Sequence, residues 1–273
     1  MKIFIDSAKL DEIEEAYSSG VLDGVTTNPS LLKKAVQALK DQGRKVDMEE
    51  YIKSILKTAR GTPVSLEVTA CRKSRMIKQG KTLFKKFNPI AKNVIIKIPI
   101  NPSFPGNENR DRAGLQAIKE LSLAGIPVNA TLIMTPEQAL LAAKAGAKIV
   151  SPFAGRIDDH IRKSNRIDFE KTDYYPAEGL SKASKCLEDE GIVSGIDLVE
   201  ECVQLIKGYG FETEVLAASI RNVRQTREAA LVGADIATLP LAVIEDLLKH
   251  PQTREGMKKF TQDIIPEYEE IAR

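Results

Sequence analysis

The chain has 273 residues, 42% hydrophobic and 29% charged, enough to bury a large core and ordinary for a globular protein free in water. Its 40 basic and 38 acidic residues leave a formal charge of +2, which makes no electrostatic case for nucleic acid or a membrane surface as a partner. No apolar run approaches a membrane span, and Asp6 interrupts the N-terminal apolar stretch before a signal-peptide core forms. Cys71, Cys186 and Cys202 are odd in number and lack metal or redox spacing, so we expect reduced thiols, a cytoplasmic protein and no metal or other cofactor. With only His160 and His250 as imidazoles, acid–base chemistry falls largely to carboxylates, Lys or Tyr.

In chain order, short apolar runs alternate with amphipathic helical patterns. Strands are predicted at 3–6, 25–28, 64–68, 94–98, 128–132, 149–153, 215–219 and 236–239, each followed by a helix. Gly20, Gly125, Gly146 and Gly233 stand where a left-handed C-cap belongs. Asn28-Pro29-Ser30 and Thr135-Pro136-Glu137-Gln138 are helix starts, the second a capping box. Eight β–α units in about 250 residues predict a single-domain TIM (β/α)8 barrel over 1–273. A doubly wound sheet is disfavoured, since no Gly-rich loop follows the first strand. Enlarged loops are expected after strands four and six, at 101–114 and 158–195, the latter with an extra helix at 177–187. Both would lie on the active-site face, as a lid or as solvated insertions.

Lys97 is the residue that strand burial explains least. Strands buried on both faces are normally continuous Val/Ile/Leu runs, and an ammonium there is costly. Two readings follow: a desolvated amine acting as a Schiff-base nucleophile, or an edge or snorkelling lysine. The alternation of side chains along a barrel strand discriminates between them. Lys97 shares the inward parity with Asp6, Thr26 and Asn28, Ser65, Glu67 and Thr69, Asn129 and Thr131, and Ser151 and Phe153. A core built for stability alone would hold branched apolar side chains at those positions, so the polar set favours chemistry. Near the ends of strands six and seven, Arg156, Ser219 and Arg221 suggest a phosphate site, the alternative being ion pairs with Asp158, Asp159 or other acids on the rim.

Taken together, Phe4-Ile5-Asp6, Gly24-Val25-Thr26-Thr27-Asn28-Pro29-Ser30, Lys97-Ile98-Pro99, Asn129-Ala130-Thr131-Leu132, 153–156 and Ala218-Ser219-Ile220-Arg221 resemble the transaldolase family, including fructose-6-phosphate aldolases. The resemblance implies a class I, metal-free enzyme of the pentose phosphate pathway that moves a dihydroxyacetone unit between sugar phosphates. It makes Lys97 the Schiff-base nucleophile and Asp6 the base at the C4 hydroxyl, with Glu67 and Thr131 holding a proton-shuttling water. Asn28, Asn129 and Ser151 would bind the dihydroxyacetone hydroxyls, with Thr26 and Phe153 beside them, and Arg156, Ser219 and Arg221 the phosphate. Glu67 and Phe153 match the transaldolase branch, whereas the aldolase branch has Gln and Tyr. A lyase releasing dihydroxyacetone and a non-catalytic sugar-phosphate-binding barrel are the alternatives. The family also implies a homo-oligomer, assembled through the C-terminal segment 251–273.

Overall fold

A computed structural model describes residues 1–104 and 110–271. Its strands are β1 Lys2–Asp6, β2 Gly24–Thr26, β3 Val64–Glu67, β4 Val94–Pro99, β5 Val128–Ile133, β6 Ile149–Pro152, β7 Ser181–Lys182, β8 Lys185–Cys186, β9 Glu214–Ala217 and β10 Ile236–Leu239. The helices are α1 Leu10–Ser18, α2 Pro29–Asp41, α3 Met48–Thr58, α4 Lys73–Ala91, α5 Ala113–Leu123, α6 Pro136–Lys144, α7 Ala154–Ser164, α8 Gly195–Gly208, α9 Val223–Leu231, α10 Leu241–Asp246, α11 Pro251–Gln262 and α12 Pro266–Ile271. Eight parallel strands close in the order β1-β10-β9-β6-β5-β4-β3-β2. This is the predicted TIM barrel.

Two apolar layers hold it together. Between strands and helices lies a continuous core that includes Ile5, Val25, Val64, Ile96, Ile98, Val128 and Val215, all fully buried. Inside the barrel a smaller cluster of Phe4, Ile95, Ile149, Leu216, Ala218 and Ile236 forms a plug. These layers take opposite parities of the same strands, as alternation requires.

The punctuation follows the expected chemistry. Gly20, Gly125, Gly146 and Gly233 all have positive φ, between 71° and 95°. Asn28 caps α2 by accepting the Leu31 N–H at 2.9 Å, and Thr135 caps α6 by accepting that of Gln138. Gln138 reaches back to the N–H of Met134, one residue before the cap itself.

One expectation needs correction. Residues 177–187 are not a helix: β7 and β8 form an antiparallel hairpin, turned by Ala183 and Ser184 at φ 51° and 61°. Two left-handed central residues are what a tight hairpin demands, and Gly179 at φ 80° breaks any helix started at Ala177. The extra helix of that connection is α7, which begins immediately after β6. The insertion proper runs between α7 and α8, and α8 is the helix that packs against α6, β6 and β9. In the other predicted loop, Pro105 and Gly106 lie outside the described residues, and α5 begins at Ala113.

Candidate active site

Lys97 sits in the middle of the carboxyl half of β4, 5% exposed, in register with Glu67 of β3 on one side and Asn129 of β5 on the other. Its Nζ is 3.7 Å from Glu67 Oε2, 3.4 Å from the Thr27 carbonyl oxygen, and 6.0 Å from the centre of the Phe153 ring. It neither snorkels nor occupies an edge, because the barrel has none. Above it opens a chamber of about 140 Å³.

Of the sequence-predicted residues, Asp6, Thr26, Asn28, Ser151, Phe153, Arg156 and Ser219 line this chamber together with Lys97. Thr26 donates from Oγ1 to Asp6 at 2.7 Å. Burial raises the Asp6 pKa above the ordinary carboxylate value, against the Lys97 charge and the Thr26 hydrogen bond. Burial also raises the pKa of Glu67, again opposed by Lys97. Both acids are thereby moved toward neutrality, where a carboxylate exchanges protons most usefully.

Asn28 spends its side-chain oxygen on the α2 cap, so its amide N–H groups are what it can offer a ligand. Asn129 is fully buried: it donates to Ser65 Oγ at 3.3 Å and accepts from Ser151 Oγ at 2.7 Å. The Oγ1 of Thr131 is buried and makes no hydrogen bond, a donor left over in a polar wall. The next residue, Leu132, has φ 60° at a register shift in the β5–β6 pairing.

Arg221 stands apart from the inner chamber. It lines an outer vestibule of about 790 Å³ with Arg156, Ser219, Lys34, Lys163, Lys171 and His160, over the β6–β9 side of the mouth. Its guanidinium grips both oxygens of Asp159, at 2.5 and 2.7 Å, and also donates to the Lys171 carbonyl. Of the rim acids weighed as ion-pair partners, Asp159 is therefore engaged. Arg156 instead stacks 5.1 Å over the Phe153 ring and carries no ion pair among the described residues. Ser219 is left-handed, φ 62°, a costly conformation for a serine and one that local packing must hold. Gly155 allows that packing: a Cβ there would lie 2.3 Å from the Ser219 carbonyl oxygen and 2.7 Å from Arg221 Nε.

Sequence reading missed Thr238, which shares a 2.5 Å hydrogen bond with Thr26 and lines the chamber beside Asp6. Its parity, two residues beyond the inward Ile236, was the available signal. Among the described residues, no group of three or more His, Cys, Asp or Glu side chains is arranged to hold a metal ion, and no helix is long and apolar enough to cross a membrane.

Comparison with known proteins places the chain in a family. The family model for transaldolase/fructose-6-phosphate aldolase matches residues 3–272. A probable transaldolase of Chlorobaculum parvum is 43% identical over 265 residues, covering 96% of this chain and 97% of that protein. One from Desulfatibacillum aliphaticivorans is 41% identical over 263 residues, covering 96% and 97%, and one from Chlorobium phaeovibrioides is 42% identical with the same coverage. Among solved structures, a mandelate oxidase mutant aligns at TM-score 0.46 and 13% identity over 89% of this chain and 65% of that one, too distant to carry an argument. With a family model spanning nearly the whole chain and relatives above 40% identity, the chain belongs to the transaldolase/fructose-6-phosphate aldolase family.

Proposed function

We propose that this chain works as a transaldolase, moving a dihydroxyacetone unit from a ketose phosphate such as fructose 6-phosphate to an aldose phosphate, as in the pentose phosphate pathway. The observation that carries the reading is Lys97. It is a buried amine with Glu67 at 3.7 Å, at the floor of a chamber also lined by Asp6 and opening toward an arginine-bearing vestibule.

In this mechanism the Lys97 amine adds to the C2 carbonyl of the ketose, and the carbinolamine loses water to give an iminium. Glu67 and Thr131 hold the water that carries protons for that step, Thr131 with its unpartnered hydroxyl. Asp6 then takes the proton of the C4 hydroxyl, the C3–C4 bond breaks, and its electron pair is stored as the enamine. The aldehyde fragment leaves, an acceptor aldehyde enters, and the enamine carbon attacks it while Asp6 returns the proton. Raised carboxyl pKa values serve both directions of this exchange. Asn28, Asn129 and Ser151 hold the three-carbon unit between the two halves, with Thr26 fixing Asp6.

Arg156, Ser219 and Arg221 receive the phosphate, with Arg221 shared between it and Asp159. The insertion after β4 sets substrate specificity, as a lid or as a wall. Arg72, Lys73, Arg110 and Arg112 line a separate cavity of about 560 Å³ there. The chain is one barrel domain of the cytoplasm, and all three of its thiols are free. It assembles with copies of itself through α11 and α12, which bury no residue and expose Met257, Phe260, Tyr268 and Ile271, with Ile264 and Ile265 exposed in the turn between them.

Borohydride reduction in the presence of fructose 6-phosphate tests the chemistry. A reduced dihydroxyacetone adduct is expected on the peptide that carries Lys97, read by mass spectrometry. An unmodified Lys97 peptide under turnover conditions would rule the mechanism out.

A further inference from the structure

The vestibule rests on a buried network that no step above uses. Asp158 precedes the acid that pairs with Arg221 and is 2% exposed. Its Oδ1 accepts the backbone N–H of Gly195, at the start of α8, at 2.7 Å. Its Oδ2 accepts from Nε2 of Gln225, on α9, also at 2.7 Å. Gln225, 1% exposed, completes the chain by accepting the backbone N–H of Arg221 on its Oε1 at 3.0 Å.

The direction of each hydrogen bond is forced. The Arg221 N–H can only donate, so Gln225 must turn its oxygen toward it and its nitrogen toward Asp158. An ionised Asp158 accepts on both oxygens and satisfies this order. A protonated Asp158 carries an O–H that needs an acceptor, and the Gln225 oxygen supplies one only if the amide turns over. The Gln225 nitrogen would then face the Arg221 N–H, donor against donor.

We propose that Asp158 is a positioning residue for the anion site: through the Gln225 amide its ionised carboxylate holds the Arg221 backbone, and the Ser219 turn two residues before it, in the anion-receiving form. Anions then bind more tightly when Asp158 is ionised. The inference rests on reading Arg156, Ser219 and Arg221 as an anion site, and not on the transfer chemistry.

The groups around Asp158 set its titration. Burial pushes its pKa up to about 7, opposed by the Gly195 N–H and by Arg162 and Arg221, with Asp159 adding a further push upward. From the insertion, burial and the Asp158 charge push the pKa of the Tyr175 phenol up to about 12. The switch between the two hydrogen-bond orders therefore falls near neutral pH.

Sulfate is the probe, because its charge is constant across the range in which phosphate titrates. Calorimetric affinities are measured at about pH 6 and about pH 8.5 in a His160→Gln background, which removes an imidazole lining the vestibule. Sulfate should bind about fivefold more tightly at the higher pH, the value of roughly one well-made hydrogen bond. Asp158→Asn should weaken sulfate by a similar factor at the higher pH and abolish the pH dependence, since its amide nitrogen turns Gln225 over as the protonated acid does. Asp158→Asn with Gln225→Glu should restore binding, because the Asn then donates to one Glu oxygen and the other accepts the Arg221 N–H.

Charge alone predicts the reverse, because deleting an acid beside an anion site tightens it. Tighter sulfate in Asp158→Asn, or a double variant no better than the single one, overturns the proposal. If Asp158→Asn does not fold, the pH series decides alone, and an affinity that is flat or falls with rising pH overturns it equally. A transfer assay on the same protein separates the two readings: sulfate following this pattern without transfer leaves the network standing and removes the transaldolase assignment. No sulfate binding at all removes the network's role.

Discussion

The interior of the barrel contains two regions built from the same strands. Its lower layer is Phe4, Ile95, Ile149 and Ile236, and two residues further along those strands the same parity carries Asp6, Lys97, Ser151 and Thr238. Apart from the partly exposed Asp6, both layers are buried, and Lys97 is only slightly more exposed than Ile95, 5% against 4%. Burial alone therefore does not mark the site. The difference is that the lower layer is self-sufficient by apolar contact, whereas each polar group above it must find a partner or await a ligand. Most have found one, as Asp6–Thr26–Thr238 and Ser65–Asn129–Ser151 illustrate. The Thr131 hydroxyl has not.

The largest expected effect lies in the upper layer. Lys97→Met should lower turnover by more than about 10³-fold while the barrel stays folded, because in the proposed mechanism the lost group is the one that bonds to substrate. Circular dichroism and steady-state kinetics on one preparation check both halves, and substantial remaining turnover would assign the chemistry elsewhere. The lower layer should show the opposite split. Ile95→Ala, which opens a cavity in the plug, should cost about 2–5 kcal/mol of stability by denaturant unfolding, with kcat/KM nearly unchanged in the protein that remains folded. Equal kinetic damage from both substitutions would mean that the layers are not functionally separate.

These layers were legible in the sequence because a strand has period two, and a change from Ile95 to Lys97 on one parity needs no long-range information. The eight barrel strands and four left-handed glycines were readable for the same local reason. The hairpin at 181–186 was not, since its Lys- and Ser-rich residues are nearly all exposed and carry little periodic signal. Nor was the partnership of Asp158 with Gln225, 67 residues apart and joined only once three helix starts are brought together. Asp159 beside Arg221 was only one of several rim acids open as a partner, because charge type is written in the sequence and pairing is not.

Arg221→Ala sharpens the contrast between the inner chamber and the vestibule. It should raise KM for fructose 6-phosphate by about 2 kcal/mol, roughly thirtyfold, the low end for a desolvated charge pair because Asp159 is left behind only partly buried. Unphosphorylated fructose should be affected far less. Equal losses on both ketoses would make the Arg221–Asp159 pair a structural brace of the vestibule and nothing more.

The smallest expected effect concerns the roof of the inner chamber, where Phe153 is the partly buried apolar neighbour of the plug and also faces Lys97. In the proposed mechanism, once the C3–C4 bond is broken, the enamine on Lys97 either attacks an acceptor aldehyde or is protonated and hydrolysed to dihydroxyacetone. Hydrolysis needs an oriented water and a proton donor near the bound carbons. The Phe153 ring, 6.0 Å from Lys97 Nζ and stacked under Arg156, supplies neither. A hydroxyl at the ring's tip would supply both. Phe153→Tyr, preferably with Glu67→Gln, should therefore raise acceptor-free release of dihydroxyacetone from fructose 6-phosphate several-fold, about 1 kcal/mol in the partition, and lower transfer to erythrose 4-phosphate. The measurement is a coupled assay for free dihydroxyacetone with and without acceptor. If the unaltered protein already releases dihydroxyacetone as fast as it transfers it, the apolar roof is not what preserves the intermediate, and the chain is an aldolase.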